Sequence, residues 1–391
     1  MQIKILQGDC IESLKKLKDE SVNTCITSPP YWGLRDYNGE EKQLGLEDTP
    51  EEFVDNLVKV FKEVKRVLRD DGTVWLNLGD TYSSHKDCKS TPQSLAKGMQ
   101  SEVAHVIEKG KSVSRNTKKL KAAGLKNKDL IGIPWRVALA LQQDGWYLRQ
   151  DIIWHKPNPM PESVKDRCTK AHEYIFLLSK QAKYYFDNEA IKEDAVRAGK
   201  IPKGKKYSSE LADDKIGGKH TRETLNEKPV APKRNKRSVW TVTTKPFKGA
   251  HFATFPIDLI EPCVSAGCPE KICVDCGEPY KRVMQKPKQL EVDRNKRSGL
   301  DDRKVGGVLD KYNRENPPID LGVQKQCDCE TNETKAGTVL DPFAGSGTTG
   351  IVAANHARNS VLLELNEEYI KIAKKRIKEQ AGMFAEVYED G

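Results

Sequence analysis

No run of about 18 apolar residues occurs in this 391-residue chain, and mean hydropathy is −0.68, so a membrane-spanning helix is excluded. The first residues, Met1 to Asp9, alternate like a strand and lack the pattern of a secretory leader, so a cytoplasmic protein is expected. Internal repeats are absent. No G-x-x-x-x-G-K-[ST] string occurs, which disfavours a phosphate-cradling P-loop. His85, His105, His172, His220 and His251 lack an acid partner at recognisable spacing and read as structural or phosphate-contacting. An overall acidic excess is also missing: 66 Lys and Arg face 57 Asp and Glu, for a net +9.

That charge is unevenly spread. Segment 84–128 holds 11 basic and 3 acidic residues, and segment 197–248 holds 15 and 5. These stretches carry +8 and +10, which leaves the remainder of the chain at −9. Two concentrated basic segments point to a polyanionic partner over merely solvated loops. The ten cysteines divide as well. Cys10, Cys25, Cys88 and Cys168 are isolated, whereas Cys263, Cys268, Cys273, Cys276, Cys327 and Cys329 share one stretch. In a cytoplasmic chain such clustering favours a metal over disulfides.

At roughly 150 residues per domain the length allows two or three domains. Strands are expected at 3–9, Val22 to Thr27, Thr73 to Leu78, Trp146 to Trp154, Tyr174 to Leu178 and 360–364. Helices are expected at 11–18, from Pro50 with Thr49 as its cap, at 135–143, over Pro256 to Cys263, from about 347, and at 367–380. Asp71-Gly72 is read as closing the second helical region. The alternation predicts an α/β sheet. The pair 146–154 and 174–178 reads as antiparallel.

Two motifs carry chemistry. Val339-Leu340-Asp341-Pro342-Phe343-Ala344-Gly345-Ser346-Gly347-Thr348-Thr349 reads as a strand, a glycine turn and a helix start. The glycines admit a ligand close to the backbone, and the helix start offers free N–H groups to a carboxylate. Glu364 ends the next strand, 23 residues after Asp341, where a doubly wound fold places an acid on ribose hydroxyls. The second motif is Thr27-Ser28-Pro29-Pro30-Tyr31-Trp32, directly after a strand. Ser28 and the Pro29 carbonyl can accept hydrogen bonds, and Tyr31 offers a flat face, a set that suits an exocyclic amine on an aromatic ring. A Pro-Pro turn over a buried Tyr is the structural alternative.

Together the motifs resemble the amino-methyltransferases that use S-adenosylmethionine (AdoMet) on cytosine or adenine in DNA. Residues 341–349 look like that family's D-P-F-x-G-S-G-T-T loop, and 28–31 like its [S/D/N]-P-P-[Y/F] catalytic loop. The order, catalytic loop first, resembles the permuted beta group. Gly8-Asp9 looks like a contact at the AdoMet adenine, and Phe252-Ala253-Thr254-Phe255-Pro256 like the segment lining its methionine side. Gly72 to Asn77 and Trp154 to Asn158 look like core strands of the family. The resemblance implies a Rossmann-like mixed sheet flanked by helices, interrupted by basic and Cys-rich insertions. Its core would comprise 1–82, 129–190, 238–270 and 337–391. A basic insertion would occupy 83–128, a target-recognition region 191–237, and a Cys-rich insertion 271–336.

The implied catalytic residues are Ser28, Pro29, Pro30 and Tyr31. The implied cofactor residues are Asp9, Phe255, Asp341, Phe343, Gly345, Ser346, Gly347, Thr348 and Glu364. Ser at position 28 resembles the cytosine-N4 subset, with adenine N6 the alternative. A zinc-containing DNA-binding protein without catalysis is a further alternative; RNA or a glutamine side chain is another substrate to weigh. The implied partner is double-stranded DNA with the target base flipped, accompanied by a cognate restriction endonuclease, for a monomer or homodimer with no membrane role. Pro262-Cys263 matches the nucleophile of cytosine C5 methylation but falls in a helical stretch, so Cys263 reads as core or metal-adjacent. Cys273-x-x-Cys276 with Cys327-x-Cys329 resembles a zinc ribbon, and its four thiolates predict structural Zn²⁺, with free thiols the alternative and Cys263 or Cys268 as substitute ligands. Trp32, Arg35 and Asp36 either flank the flipped base or pack the core, and Lys156 and Asn158 are candidate backbone contacts.

Overall fold

The structure, a computed structural model, describes residues 1–33, 43–83, 124–196, 233–244, 255–285, 318–381 and 386–390. Arg35, Asp36, Cys88, Phe252, His85, His105, His220, His251 and most of both basic segments lie outside them.

In chain order the elements are β1 (Gln2–Gln7), α1 (Cys10–Lys15), β2 (Val22–Thr27), α2 (Pro50–Val67) and β3 (Leu68–Leu78). Then come α3 (Ile133–Gln143), β4 (Tyr147–His155), β5 (His172–Ser179), β6 (Glu193–Asp194), β7 (Lys233–Arg234) and β8 (Val239–Thr241). α4 (Ile257–Gly267), β9 (Ile272–Cys273), β10 (Lys281–Gln285), β11 (Ile319–Gln324) and β12 (Thr334–Lys335) follow. The chain closes with β13 (Thr338–Asp341), α5 (Thr348–Asn355), β14 (Asn359–Glu364), α6 (Glu367–Gln380) and β15 (Glu386–Asp390).

Nine strands form one mixed sheet in the order β15-β1-β14-β13-β2-β3-β5-β4-β8. The run from β15 to β3 is parallel, β5 is antiparallel to both β3 and β4, and β8 adds in parallel to β4. β2 is buried along its whole length, as a strand covered on both faces must be. One face is covered by α1, α2 and α3. Thr49 caps α2, accepting from the Glu52 N–H at 3.1 Å, and Pro50 starts it at the position where its missing N–H costs nothing. Phe53, Leu57, Val60, Phe61 and Val64 are each 0% exposed. Each such side chain contributes about 1.5–3 kcal/mol by leaving water. α4, α5 and α6 form the other layer, where Ile351, Ile370 and Ile377 pack on Ile3, Ile5 and Leu362.

Several elements differ from the sequence expectations. Asp71-Gly72 does not end a helix: α2 stops at Val67, and β3 begins at once, with an irregular register against β2 between Val22 and Thr24. α3 starts at Ile133, because Asp80 accepts from the Gly132 and Ile133 N–H groups and stabilises an earlier first turn. β8 and β15 are edge strands too short or too charged to stand out as periodic apolar segments.

The described chain divides into two units. The larger comprises Met1–Ala190, Arg237–Lys281 and Lys325–Gly391, and holds the sheet, both helical layers and all four clustered cysteines. The smaller comprises Ile191–Lys236 and Arg282–Gln324. Within it β6 pairs with β7, with Glu193 bound to Arg234 at 2.9 Å, and Arg282 pairs with Asp320 at 2.9 Å. Among the described residues no helix is long and apolar enough to cross a membrane.

Candidate functional site

In the parallel half of the sheet, β1, β14, β13, β2 and β3 all end on the same edge. β13 lies between β14 on one side and β2 on the other, so the chain reverses its order of strand addition there. Open α/β sheets bind ligands at the carboxyl ends of strands at such a switch point. A cleft with about 1050 Å³ of empty space opens at this place.

One wall is the turn after β13. Phe343, Gly345, Ser346 and Thr348 line it. Gly347 caps α5 with φ +75° and without a side-chain cap hydrogen bond, so the first N–H groups of the helix stay available. Arg376 of α6 braces the turn from behind, donating to the Ser346 carbonyl at 2.6 Å and to Thr348 Oγ1 at 3.1 Å. Glu364, at the end of β14, faces the same turn. Its Oε2 accepts from the Gly345 N–H at 2.8 Å and its Oε1 from the Asn366 N–H at 2.9 Å. Burial pushes the Glu364 carboxyl above its usual range, while those two backbone bonds pull the other way. A carboxylate has about four acceptor positions, so two fixed bonds leave capacity for hydroxyl donors from the cleft.

Gly8, Asp9, Cys10 and Phe255 complete this end. Asp9 also serves the fold, because its Oδ1 caps α1, accepting from Ile11 N at 3.0 Å and Glu12 N at 3.1 Å. Cys10 is pushed up to about 12, first by burial and then by the Asp9 charge, so it sits there as a neutral thiol.

The opposite wall is Ser28, Pro29, Pro30 and Tyr31, carried on the carboxyl end of β2. The two loops predicted from sequence to share one reaction therefore face one space. Tyr31 is not loose there. Its hydroxyl donates to Glu173 Oε2 at 2.7 Å and lies 3.2 Å from Asn77 Oδ1.

Two of the expected cofactor residues stand beneath the cleft and do not line it. Asp341 is 1% exposed and binds Thr27 Oγ1 and Thr349 Oγ1, each at 2.6 Å, so it ties β2 to the turn. Gly347 has its Cα hydrogens toward α6, where an added Cβ would lie 2.9 Å from Ala373 Cβ. Trp32 is 3% exposed and donates to the Glu47 carbonyl at 3.0 Å, so of its two readings core packing is the one realised. Asn158 exchanges hydrogen bonds with the Thr244 backbone, and Lys156 pairs with Glu173. Cys263 is buried in α4 and its thiol points at the Leu259 carbonyl, outside the cleft lining.

Sequence reasoning missed Leu44, Asn366 and Tyr369 in the lining, and Asn77 and Glu173 behind Tyr31. Asn366 and Tyr369 follow Glu364 closely and were findable from helix spacing. Glu173 was not, because only the antiparallel register of β3 and β5 brings it beside Asn77.

Cys273, Cys276, Cys327 and Cys329 converge, with their four sulfurs within 4.8 Å of one another. Tetrahedral Zn–S bonds of about 2.3 Å put sulfurs about 3.8 Å apart, so the set fits with small adjustment. Cys273 lies on β9, paired with β12, which brings the two cysteine pairs together across 50 intervening residues. Gly277, at φ +72°, turns the chain back so that its N–H reaches the Cys273 carbonyl at 3.0 Å and the Glu278 N–H points at Cys276 Sγ. The Cys276 backbone N–H holds Cys273 down to about 7, whereas the Cys276 side chain pushes Cys329 up to about 12. Cys263 and Cys268 stay outside the cluster.

The family profile described as DNA methylase, of the N6/N4 methyltransferase type, matches residues 22–276 and 329–375. The chain is 38% identical over 374 residues to the Type II methyltransferase M.Cfr9I of Citrobacter freundii, covering 95% of this chain and 87% of that one. It is also 38% identical over 380 residues to M.SmaI of Serratia marcescens, covering 96% and 90%. Among solved structures it resembles the PvuII DNA methyltransferase (cytosine-N4-specific), with a TM-score of 0.50, 15% identity, and coverage of 100% and 96%. That likeness concerns the fold, a methyltransferase sheet flanked by helices. By profile and by sequence relatives alike, the chain belongs to the N6/N4 DNA methylase family.

Proposed function

We propose that this chain transfers the methyl group of AdoMet to the exocyclic amine of a base in DNA, with cytosine N4 the favoured acceptor and adenine N6 the alternative. The observation that carries the reading is the single cleft walled on one side by Ser28 to Tyr31 and on the other by Gly345, Ser346, Thr348 and Glu364. The donor set suits AdoMet. Glu364 retains acceptor capacity for ribose hydroxyls, α5 offers unclaimed N–H groups to a carboxylate, and Phe255, Phe343 and Tyr369 supply flat or apolar walls. AdoMet brings an electrophilic methyl group on a sulfonium.

The protein's part is positioning. A base inside a duplex cannot present its amine to this cleft and must leave the stack. Tyr31 then receives it, and stacking contributes about 1–3 kcal/mol per base. Ser28 Oγ and the Pro29 carbonyl accept from the amine, which orients the nitrogen lone pair toward the other wall. No covalent enzyme intermediate is needed, and fixed geometry supplies much of the rate. Ser28 in place of an acid favours cytosine. The relatives, named as Type II methyltransferases, support a modification role beside a cognate endonuclease, and the basic segments 84–128 and 197–248 suit phosphate contact. The four-cysteine cluster holds structural zinc in this reading, closed to substrate because the protein fills every ligand position.

The test is transfer of tritium from methyl-labelled AdoMet to unmethylated plasmid DNA, with AdoMet affinity measured by calorimetry. Labelled DNA is expected. AdoMet binding without transfer would support a non-catalytic DNA-binding role, and neither binding nor transfer would defeat the assignment.

A further inference from the structure

Stacking on a base needs only the ring of Tyr31, and a Phe ring would stack just as flatly. The hydroxyl of Tyr31 therefore does something other than stack, and its surroundings show what. It donates to Glu173 Oε2 at 2.7 Å, with Asn77 Oδ1 at 3.2 Å. Asn77 cannot turn away, because its amide nitrogen donates to the Tyr174 carbonyl at 3.0 Å. Beneath the ring, Gly79 leaves room that no other residue would: an added Cβ would lie 2.5 Å from Tyr31 Cε2. Glu173 is itself held. Its other oxygen, Oε1, accepts from Lys156 Nζ, and that ammonium stands 4.2 Å from the centre of the Trp154 ring. The Lys156 and Glu173 side chains are only 19% and 15% exposed, so solvent weakens the pair little.

We propose that Glu173, held by Lys156, is the positioning residue for Tyr31: it fixes the tilt of the ring before a base arrives. The inference rests on the methyltransferase reading and deepens it. A tyrosine hinges at two side-chain torsions. Anchoring its far end stops both, and the prolines on its N-terminal side stiffen the backbone that carries it. A base entering the cleft then meets a surface already set, so ordering is not left to the moment of reaction. Lys156 contributes by keeping Glu173 pointed at the hydroxyl, not by touching DNA.

The test compares Glu173→Ala, Glu173→Gln, Tyr31→Phe and the double variant Glu173→Ala with Tyr31→Phe. Each is assayed for tritium transfer to unmethylated plasmid DNA, with kcat and KM resolved, and for AdoMet affinity by calorimetry. Glu173→Ala and Tyr31→Phe should each lower kcat about ten-fold while AdoMet affinity stays within about two-fold. The double variant should lose no more than either single one, because both break the same bond. Glu173→Gln should recover part of the loss, since its one amide oxygen still accepts from the hydroxyl while its amide nitrogen, a donor, can no longer be held by Lys156. Tyr31→Phe removes one oxygen only and keeps the test sound if the alanine variant fails to fold. Parent-like turnover in Glu173→Ala, losses that multiply to about a hundred-fold in the double variant, or a Gln variant as poor as Ala would overturn the proposal. A parent chain that binds AdoMet and transfers nothing would overturn the proposed function as well.

Discussion

Asp341 closes β13 with its carboxyl group inside the protein, where Thr27 and Thr349 donate to it at 2.6 Å and the Phe343 N–H at 3.1 Å. Burial pushes its pKa from 3.8 up to about 6, because three hydrogen bonds only partly replace the lost hydration. Between these two values the native chain keeps a proton that the unfolded chain has released. Stability from this group is therefore fully present below pH 3.8 and falls as pH rises through about 6. A shift of about two units corresponds to roughly 3 kcal/mol. Asp341→Asn removes the charge and keeps the geometry: the amide oxygen accepts from Thr27 and Phe343, and the amide nitrogen donates to the Thr349 hydroxyl. Urea unfolding of parent and variant at matched pH cancels the other carboxyl groups. The variant should gain on the parent by on the order of 2–3 kcal/mol between about pH 4 and pH 7.5. A difference that does not change with pH, or one that moves toward the parent as pH rises, would refute the argument.

The cysteine cluster makes a separate prediction: protein purified without chelator should contain about one zinc per chain, and Cys276→Ser should lose the metal and expose 271–285 to protease. Metal-free protein with undiminished thermal stability would contradict a structural zinc. At the cofactor turn, Gly347→Ala should suffice to weaken AdoMet binding more than about ten-fold, because an αL conformation strains any L-residue there. Its Cβ would also meet Ala373 at 2.9 Å. Calorimetry giving the parent affinity would remove the turn from the cofactor site.

What the sequence made legible was local. The α2 stripe from Phe53 to Val64 has a strict helical period, and Thr49-Pro50 marks its start, so its buried face could be read directly. The two loops that wall the cleft were visible because each carries unusual residues, Pro-Pro on one side and Gly-Ser-Gly on the other. Convergence of the two cysteine pairs was suggested by spacing, but it depends on a two-residue pairing of β9 with β12 that carries no periodic signal. The orientation of Asp341 was hidden for a related reason. A motif shows that an acid follows the strand, not that its carboxylate turns inward to two threonines separated from it by 314 and 8 residues. The support behind Tyr31 was invisible altogether. Glu173 and Asn77 stand 142 and 46 residues away from it, and only sheet order brings them together.

The central claim is that a base amine in DNA receives the methyl group. The most direct measurement is mass spectrometry of nucleosides from DNA incubated with this protein and AdoMet carrying a trideuterated methyl group. Deuterated N4-methylcytosine is the expected product. Deuterated N6-methyladenine alone would keep the reaction and overturn the choice of base. Deuterated 5-methylcytosine would contradict the account outright, because carbon-5 requires a cysteine nucleophile and Cys263 lies buried in α4 outside the cleft lining.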